Sequence, residues 1–229
     1  MDVQKIRMNN TLNDLIELNA KTYCDLGPGY GELPMALKEA GKNVICVESE
    51  WNAYLAEDWA QKAGIKYYIK DFLLDDFEFF EEEVDCFSLV HCIAHFHLPP
   101  QLLFEQIYKK LPKGGYFYLS TVNGSSMSRV MKLFRGQPIT GKVTKETNPD
   151  NFTNVYMSRI LGIERHLTVS EWMHVKEYTK PELEEMLISE NFKIHKSFWR
   201  NNFNHWKQRL ASSYRKSLSE EIVIIAQKV

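Results

Sequence analysis

Residues 23–31 of the chain read Tyr-Cys-Asp-Leu-Gly-Pro-Gly-Tyr-Gly, and residues 44–48 read Val-Ile-Cys-Val-Glu. The first segment predicts a short buried strand that leads into a turn with three glycines, because glycine tolerates positive φ and lets a ligand approach the backbone. A helix is predicted next, over about residues 31–40, and then a second apolar strand that ends at Glu48. A carboxylate there can accept hydrogen bonds from both hydroxyls of a ribose that lies across the turn. The pattern therefore predicts a βαβ nucleotide-binding unit.

The residues around the glycines indicate which nucleotide this unit binds. A dinucleotide site normally has the spacing G-x-G-x-x-G, with the pyrophosphate over the helix N-terminus. This chain has G-x-G-x-G instead, with Asp25 two residues before the first glycine and Glu32 directly after the last. Two carboxylates favour a cationic ligand over a dianionic one. S-adenosylmethionine has a ribose, a positive sulfonium and an α-amino group, so it fits these residues better than NAD does.

The glycine segment resembles the first motif of the class I S-adenosylmethionine-dependent methyltransferases, and the rest of the chain is similar to their small-molecule branch. The third predicted strand, at residues 65–69, is followed by an acid and an aromatic residue, the types that contact adenine in that family. Asp71 would also suit an ordinary turn. The resemblance implies S-adenosyl-L-methionine as cofactor and the following cofactor-binding residues: Asp25, Gly27, Gly29, Gly31, Glu48, Asp71, Phe72 and Leu89.

Later landmarks of the same family follow in the expected order. His95 comes after the fourth predicted strand, at residues 84–89, and a Leu-Pro-Lys-Gly-Gly turn at 111–115 precedes the fifth. A helix is predicted from Thr179, which can cap it, towards Asn191, which suits a left-handed C-terminal turn. The resemblance implies an α/β fold with a Rossmann-like, doubly wound, seven-stranded sheet that is mostly parallel and has an antiparallel last strand.

We expect one domain over residues 1–229, because this length suits a single core. Three additions are predicted: an N-terminal helical lid at residues 1–20, a substrate-covering insertion at 123–176, and a basic insertion at 200–218 between the last two strands. From 192 to 218 the chain has seven Lys and Arg residues and no acidic one. This composition suits a solvated surface helix, a contact with an anionic substrate, or a contact with a second subunit.

Composition argues against several classes of partner. The formal net charge of −2 gives no general attraction to nucleic acid or to an anionic membrane. No stretch reaches the roughly 18 apolar residues of a membrane span, and we expect no signal peptide. The four cysteines form no Cys-x-x-Cys pair, so we expect free thiols in a reducing cytoplasm and no metal site. The expected partner is a small-molecule acceptor, which can be anionic, and a homodimer is a further option.

The expected reaction is an in-line displacement of the sulfonium methyl group by an oxygen or nitrogen atom, in which positioning and exclusion of water contribute much of the rate. An alcohol acceptor also loses a proton, and histidine suits that role near neutral pH. The candidate catalytic residues are His174, His95 and His91, and His174 is slightly favoured because it ends the substrate-covering insertion. Proton loss to water once methyl transfer has begun is the alternative to such a base.

The acceptor is predicted from the two additions that flank the site. The insertion is rich in arginine and aromatic residues and the later segment is basic, so we expect O-methylation of a small polar metabolite, with a sugar or nucleotide-activated sugar as the leading substrate. An RNA- or protein-modifying methyltransferase is one alternative, although the chain has no aromatic and basic RNA-binding module. A non-catalytic S-adenosylmethionine-binding module is the other, although such modules usually lose the glycines or the acid of the second strand.

Overall fold

A computed structural model describes the chain at residues 3–49, 57–140, 174–202 and 206–229. Residues 141–173, which make up most of the predicted substrate-covering insertion, lie outside this described part. So do residues 203–205 of the basic insertion.

The described strands and helices alternate along much of the chain. The strands are β1 (Thr22–Leu26), β2 (Asn43–Glu48), β3 (Lys66–Ile69), β4 (Cys86–Val90), β5 (Tyr116–Val122), β6 (Phe192–Arg200) and β7 (Glu221–Lys228). The helices are α1 (Val3–Glu17), α2 (Glu32–Glu39), α3 (Glu57–Ala63), α4 (Gln101–Lys110), α5 (Met127–Phe134), α6 (Lys180–Ser189) and α7 (Trp206–Tyr214). Short 3₁₀ turns lie at Phe77–Phe79, Ile93–His95 and Lys216–Leu218.

The order of the strands creates the crevice in which a ligand can bind. The order is β3-β2-β1-β4-β5-β7-β6, and β7 is antiparallel to both of its neighbours while the other adjacent pairs are parallel. This confirms the predicted doubly wound, mostly parallel sheet with an antiparallel last strand. From β1 the chain moves outwards on one side and returns to β4 on the other, so a crevice opens at the carboxyl ends of β1 and β4.

The direction of β7 brings an acidic residue to the same edge of the sheet. Because β7 runs antiparallel to β5, its first residue, Glu221, pairs with Val122 at the carboxyl end of β5. The residue before it, Glu220, accepts a backbone hydrogen bond from Asn123 (2.8 Å). The start of β7 therefore lies at the edge where the parallel strands end.

Apolar side chains fill both faces of the sheet. One core contains Leu26 and Leu89, and the core on the other face contains Tyr23 and Tyr118. Successive side chains of a strand point to opposite faces, so central strands covered on both sides read as near-continuous apolar runs. The cysteines are free thiols, and Cys24, Cys46 and Cys86 are buried in this sheet. Within the described ranges, no helix has both the length and the apolar composition to cross a membrane.

The helix predicted from Thr179 is α6, and both of its ends follow the sequence signals. The Thr179 backbone N–H donates to the Glu182 side chain at 3.4 Å, which satisfies a donor at the helix start. Beyond the other end, Asn191 has a φ of 67°, the left-handed conformation that asparagine tolerates better than most residues. The chain can then reverse into β6.

A buried amide joins the end of β5 to the segment that leads into β7. Asn123 is fully buried, and its Nδ2 donates to the carbonyls of Ser217 (2.8 Å) and Ser219 (2.7 Å). Its Oδ1 accepts from the backbone N–H of Ser125 at 3.1 Å. One side chain thus satisfies three backbone groups of two loops at the carboxyl edge of the sheet.

We expect Asn123→Ala to lower the free energy of unfolding by about 1–3 kcal/mol, because it leaves the buried Ser219 carbonyl without its donor. Urea denaturation of the purified protein measures this change. Asn43→Ala is the matched control, since Asn43 is exposed at the start of β2 and should change stability by no more than about 0.5 kcal/mol. An equal loss in the two variants would contradict the role given to Asn123.

Candidate active site

The turn after β1 is shaped by three glycines and closed by a tryptophan. Gly27, Gly29 and Gly31 have φ values of 70°, 52° and 75°. The Trp59 indole Nε1 donates to the Gly29 carbonyl at 3.1 Å, and a Cβ built on Gly31 would lie 2.2 Å from the Trp59 ring. Only glycine fits at position 31 while the indole stays in place, and the indole in turn holds the turn in shape.

Glu48 is held directly against this turn. Its side chain is buried (2% exposed), and its Oε2 accepts from the Gly29 backbone N–H at 3.1 Å. Its Oε1 accepts from the Ser49 backbone N–H at 2.9 Å. The end of β2 therefore presents a fixed carboxylate beside the glycine turn, on the side where a ribose across the turn would extend.

Asp25 is a second buried carboxylate, at the carboxyl end of β1. Its Oδ1 accepts from the Ser88 hydroxyl on β4 at 2.6 Å. Burial raises the pKa of Asp25 to about 7; the Ser88 hydrogen bond opposes this rise and the charge of Glu48 adds to it. Two desolvated acids beside a backbone turn suit a ligand that brings positive charge and hydroxyl donors. The sulfonium, amino group and ribose of S-adenosylmethionine meet those requirements.

A cavity of about 260 Å³ opens beside the glycine turn. Its floor is formed by Asp25 and the turn, and Val90 and His91 line it from the end of β4. Helix α1 forms the opposite wall with Gln4, Arg7, Met8 and Thr11. The Gln4 Nε2 also donates to Glu32 Oε2 at 3.2 Å, so α1 is hydrogen-bonded to the start of α2 across the cavity.

The residues predicted to contact adenine lie nearby but are mostly enclosed by protein. Asp71 Oδ1 accepts from the Leu73 backbone N–H at 3.1 Å, as in an ordinary turn. The Phe72 ring is 2% exposed and lies next to Gly27, about 4.0 Å from where its Cβ would be. Leu89 is fully buried in the core, and its neighbour Val90 lines the cavity instead. Adenine contact by these residues stays a prediction.

His91 lies at the end of β4 and is held by two elements. Its backbone N–H donates to the Ser120 carbonyl at 2.8 Å, and its φ is 54°, which is uncommon for a residue other than glycine. Its Nε2 lies 2.8 Å from Oε1 of Glu221, whose side chain is buried. Although burial acts in the opposite direction, hydrogen bonds from His91 and Asn202 lower the pKa of Glu221 below its usual value.

His95 and His174 lie together in a second cluster. Their rings are 4.9 Å apart at nearly right angles, and His174 Nδ1 is 2.8 Å from Glu177 Oε1. Arg129 also binds Glu177 through both oxygens, at 2.6 and 2.9 Å. Burial opposes ionisation of Glu177, yet His174 and Arg129 hold its pKa at about 2. Neither histidine is among the described residues that line the cavity beside the glycine turn.

Two residues of the site carried weak sequence signals. Glu221 reaches His91 only because β7 is antiparallel, and an acidic pair at the start of that predicted strand was the available hint. Trp59 closes the turn from α3, and nothing in its sequence context points to that contact. Both contacts depend on how distant elements pack.

A family model described as a methyltransferase domain matches residues 6–197. The chain belongs to this family, and it is an enzyme whose cofactor is S-adenosylmethionine, as the glycine motif and its flanking acids implied. A comparison with curated proteins gives no significant match.

Solved structures share the fold over most of the chain. The S-adenosylmethionine-dependent methyltransferase of Clostridium acetobutylicum is 14% identical, with a TM-score of 0.61 over 99% of this chain and 92% of that one. The one from Archaeoglobus fulgidus is 16% identical, with a TM-score of 0.57 over 98% and 97%. PigF, solved with SAH, is 15% identical, with a TM-score of 0.57 over 96% of this chain and 54% of its own. At these identities the likeness shows the fold alone.

We expect the affinity for S-adenosylmethionine to fall as the pH drops below about 7, where Asp25 becomes protonated in the free protein. A bound cation favours the ionised carboxyl, so binding releases a proton in that range and affinity weakens by up to about ten-fold per pH unit. Calorimetry between about pH 5.5 and 7.5 measures this.

In Asp25→Asn, which cannot ionise, the affinity should be weaker and nearly independent of pH. NAD, which has a dianionic pyrophosphate, should not bind either protein. A flat pH profile in the wild-type protein, or comparable binding of NAD, would contradict the role given to Asp25.

Proposed function

We propose that this methyltransferase transfers the methyl group to an oxygen of a small polar acceptor, with His91 as the general base. A sugar or nucleotide-activated sugar is the leading acceptor. The observation that carries the proposal is the position of His91: it lines the cavity beside the glycine turn and is hydrogen-bonded to the buried Glu221.

Glu221 determines which nitrogen of His91 can accept a proton. An ionised carboxylate only accepts hydrogen bonds, and the pKa of Glu221 is held below its usual value, with the His91 hydrogen bond the largest of the lowering effects. His91 Nε2, 2.8 Å away, is therefore the nitrogen that carries the proton. Nδ1 is left with a lone pair, which is the form that a general base needs.

Four side chains in and beside the cavity have distinct tasks in this mechanism. S-adenosylmethionine, when bound, supplies an electrophilic methyl group on a sulfonium. Glu48 would accept hydrogen bonds from its ribose, and Asp25 would stabilise its positive end. His91 Nδ1 takes the proton of the acceptor hydroxyl, and Glu221 stabilises the imidazolium that forms. Helix α1 limits the access of water from the opposite wall.

The geometry favours His91 over His174, the histidine with the slight preference from sequence. Both oxygens of Glu177 are engaged by Arg129, so the negative charge beside His174 is already neutralised. The negative charge of Glu221, beside His91, is less fully neutralised. Glu221 accepts a hydrogen bond from the uncharged Asn202 amide, and the nearest Arg200 nitrogen is 3.9 Å away. Glu221 is thus better able to stabilise a charged imidazole.

A second cavity supports a polar acceptor. It lies between α1, β6 and α7, has a volume of about 850 Å³, and is lined mainly by hydroxyl and amide side chains with one lysine. Those polar residues are Ser197, Asn201, Asn202, Ser212, Ser213, Lys216 and Ser219. Asn202 also donates to Glu221, so the cavity begins one carboxylate away from His91. Hydroxyl groups and an anionic group suit such a lining.

The proposed function is tested with methyl-labelled S-adenosylmethionine and separate acceptors: nucleoside diphosphate sugars, free sugars, polyamines and tRNA. We expect labelled product from a sugar-containing acceptor, with the methyl group in an ether linkage by mass spectrometry. Label in tRNA, in protein or on an amine nitrogen would contradict O-methylation of a small molecule.

With the accepted substrate in hand, we expect His91→Ala to lower kcat by about 10² to 10⁴, the usual contribution of a general base. Affinity for S-adenosylhomocysteine, measured by calorimetry, should stay within about three-fold of wild type. His195→Ala is the control, since His195 is exposed on the edge strand β6 and should leave kcat unchanged. A His91 variant that keeps more than half of kcat would show that positioning suffices without a base.

A further inference from the structure

We propose that Asn202 is a positioning residue that couples the docking of helix α1 to the orientation of His91, through Glu221. This inference rests on the proposed role of His91 as the base. It concerns how the base is held, and it makes α1 a part of the catalytic arrangement as well as a wall of the cofactor cavity.

The coupling follows an unbroken chain of hydrogen bonds. Glu221 engages His91 with Oε1 and accepts from Asn202 Nδ2 with Oε2. Asn202 in turn accepts from Asn10 Nδ2 of α1, at 3.1 Å, with its own Oδ1. Asn202 and Glu221 are only 5% and 1% exposed, so water does not readily substitute for these partners.

The direction of every bond in this chain is set by Glu221. A carboxylate presents acceptors only, so Asn202 must turn its nitrogen towards Glu221 and its oxygen towards α1. That oxygen needs a donor, and Asn10 supplies it. Loss of Asn10 leaves a buried acceptor without a partner, which allows the Asn202 amide to rotate and releases one oxygen of Glu221.

A charged link joins the same three elements. Arg200, at the end of β6, bonds to Asp14 of α1, and its Nη1 lies 3.9 Å from Glu221 Oε2. The Tyr118 hydroxyl of β5 donates to Asp14 at 3.0 Å. Asn10 and Asp14 are four residues apart and so share one side of α1. Helix α1 therefore contacts the residues that support His91 in two ways, through the neutral Asn10–Asn202 hydrogen bond and through the charged Asp14–Arg200 pair.

Neighbouring residues of α1 line the cofactor cavity. Gln4, Arg7 and Thr11 line that cavity, and Gln4 is hydrogen-bonded to Glu32 beside the glycine turn. One helix thus contacts both the cofactor cavity and the residues that support His91. A ligand that stabilises the docked helix also stabilises the orientation of the base, and the effect is reciprocal, as any coupling free energy must be.

Asn10→Ala tests the coupling without the need for an acceptor, and Asn13→Ala is its matched control. Asn13 lies on the same helix but is exposed, so the two variants change helix propensity equally. The dissociation constant of S-adenosylhomocysteine is measured by calorimetry. The imidazole ¹⁵N chemical shifts of His91 are measured by NMR in the complex with S-adenosylhomocysteine. The His91 signals are assigned by their loss in His91→Gln.

We expect wild type and Asn13→Ala to show the tautomer of His91 with the proton on Nε2. Asn10→Ala should show a mixture of tautomers, and its dissociation constant should rise about five-fold or more. In the reciprocal experiment, Glu221→Gln should increase amide hydrogen exchange in residues 3–17. Asn202→Ala changes a buried residue, so it serves only to repeat the result expected for Asn10→Ala.

Each contrary result has a separate meaning. If Asn10→Ala weakens S-adenosylhomocysteine but leaves the His91 spectrum unchanged, α1 only covers the cofactor and the coupling is overturned. The same holds if Asn10→Ala and Asn13→Ala behave alike. If instead the spectrum changes as expected while His91→Ala retains full kcat, the coupling stands and the proposed role of His91 as the base fails.

Discussion

The rest of the site depends on two desolvated carboxylates, Asp25 and Glu48, beside the glycine turn. Burying an ionised acid costs free energy unless hydrogen bonds or positive charge compensate for it. Ser88 gives Asp25 one hydrogen bond, and Gly29 and Ser49 give Glu48 two from the backbone. Burial raises the pKa of Asp25 more than the Ser88 hydrogen bond lowers it. A cationic cofactor bound beside these acids would offset the cost of burying them, so it should bind the folded chain far more tightly than the unfolded one.

Much of the fold followed from local sequence. The three glycines, the acid at the end of β2 and the apolar strands are read within short segments, because φ tolerance and alternating burial depend on few neighbours. The antiparallel last strand came from the family resemblance. The residues that support His91 could not be predicted from local sequence. Glu221 and Asn202 are distant from His91 in sequence, and only the packing of β7 beside β5 brings them together.

Adjacent acids at the start of β7 serve two different clusters. Glu221, the first residue of β7, is hydrogen-bonded to His91, whereas Glu220, just before the strand, lies 3.6 Å from Arg129. The first acid stands beside a histidine that lines the cavity next to the glycine turn. The second helps to neutralise an arginine that already binds Glu177. In the proposed mechanism, the same residue type therefore has a chemical task at one position and a structural task at the next.

The contact between Gly31 and Trp59 limits how this sequence can diverge. With the indole in place, no side chain fits at position 31, and without the indole the Gly29 carbonyl loses its donor. A change at one position is therefore tolerated only with a compensating change at the other. Among relatives of this chain, a smaller residue in place of the tryptophan should accompany loss of the third glycine. The two positions should covary although 27 residues of chain lie between them.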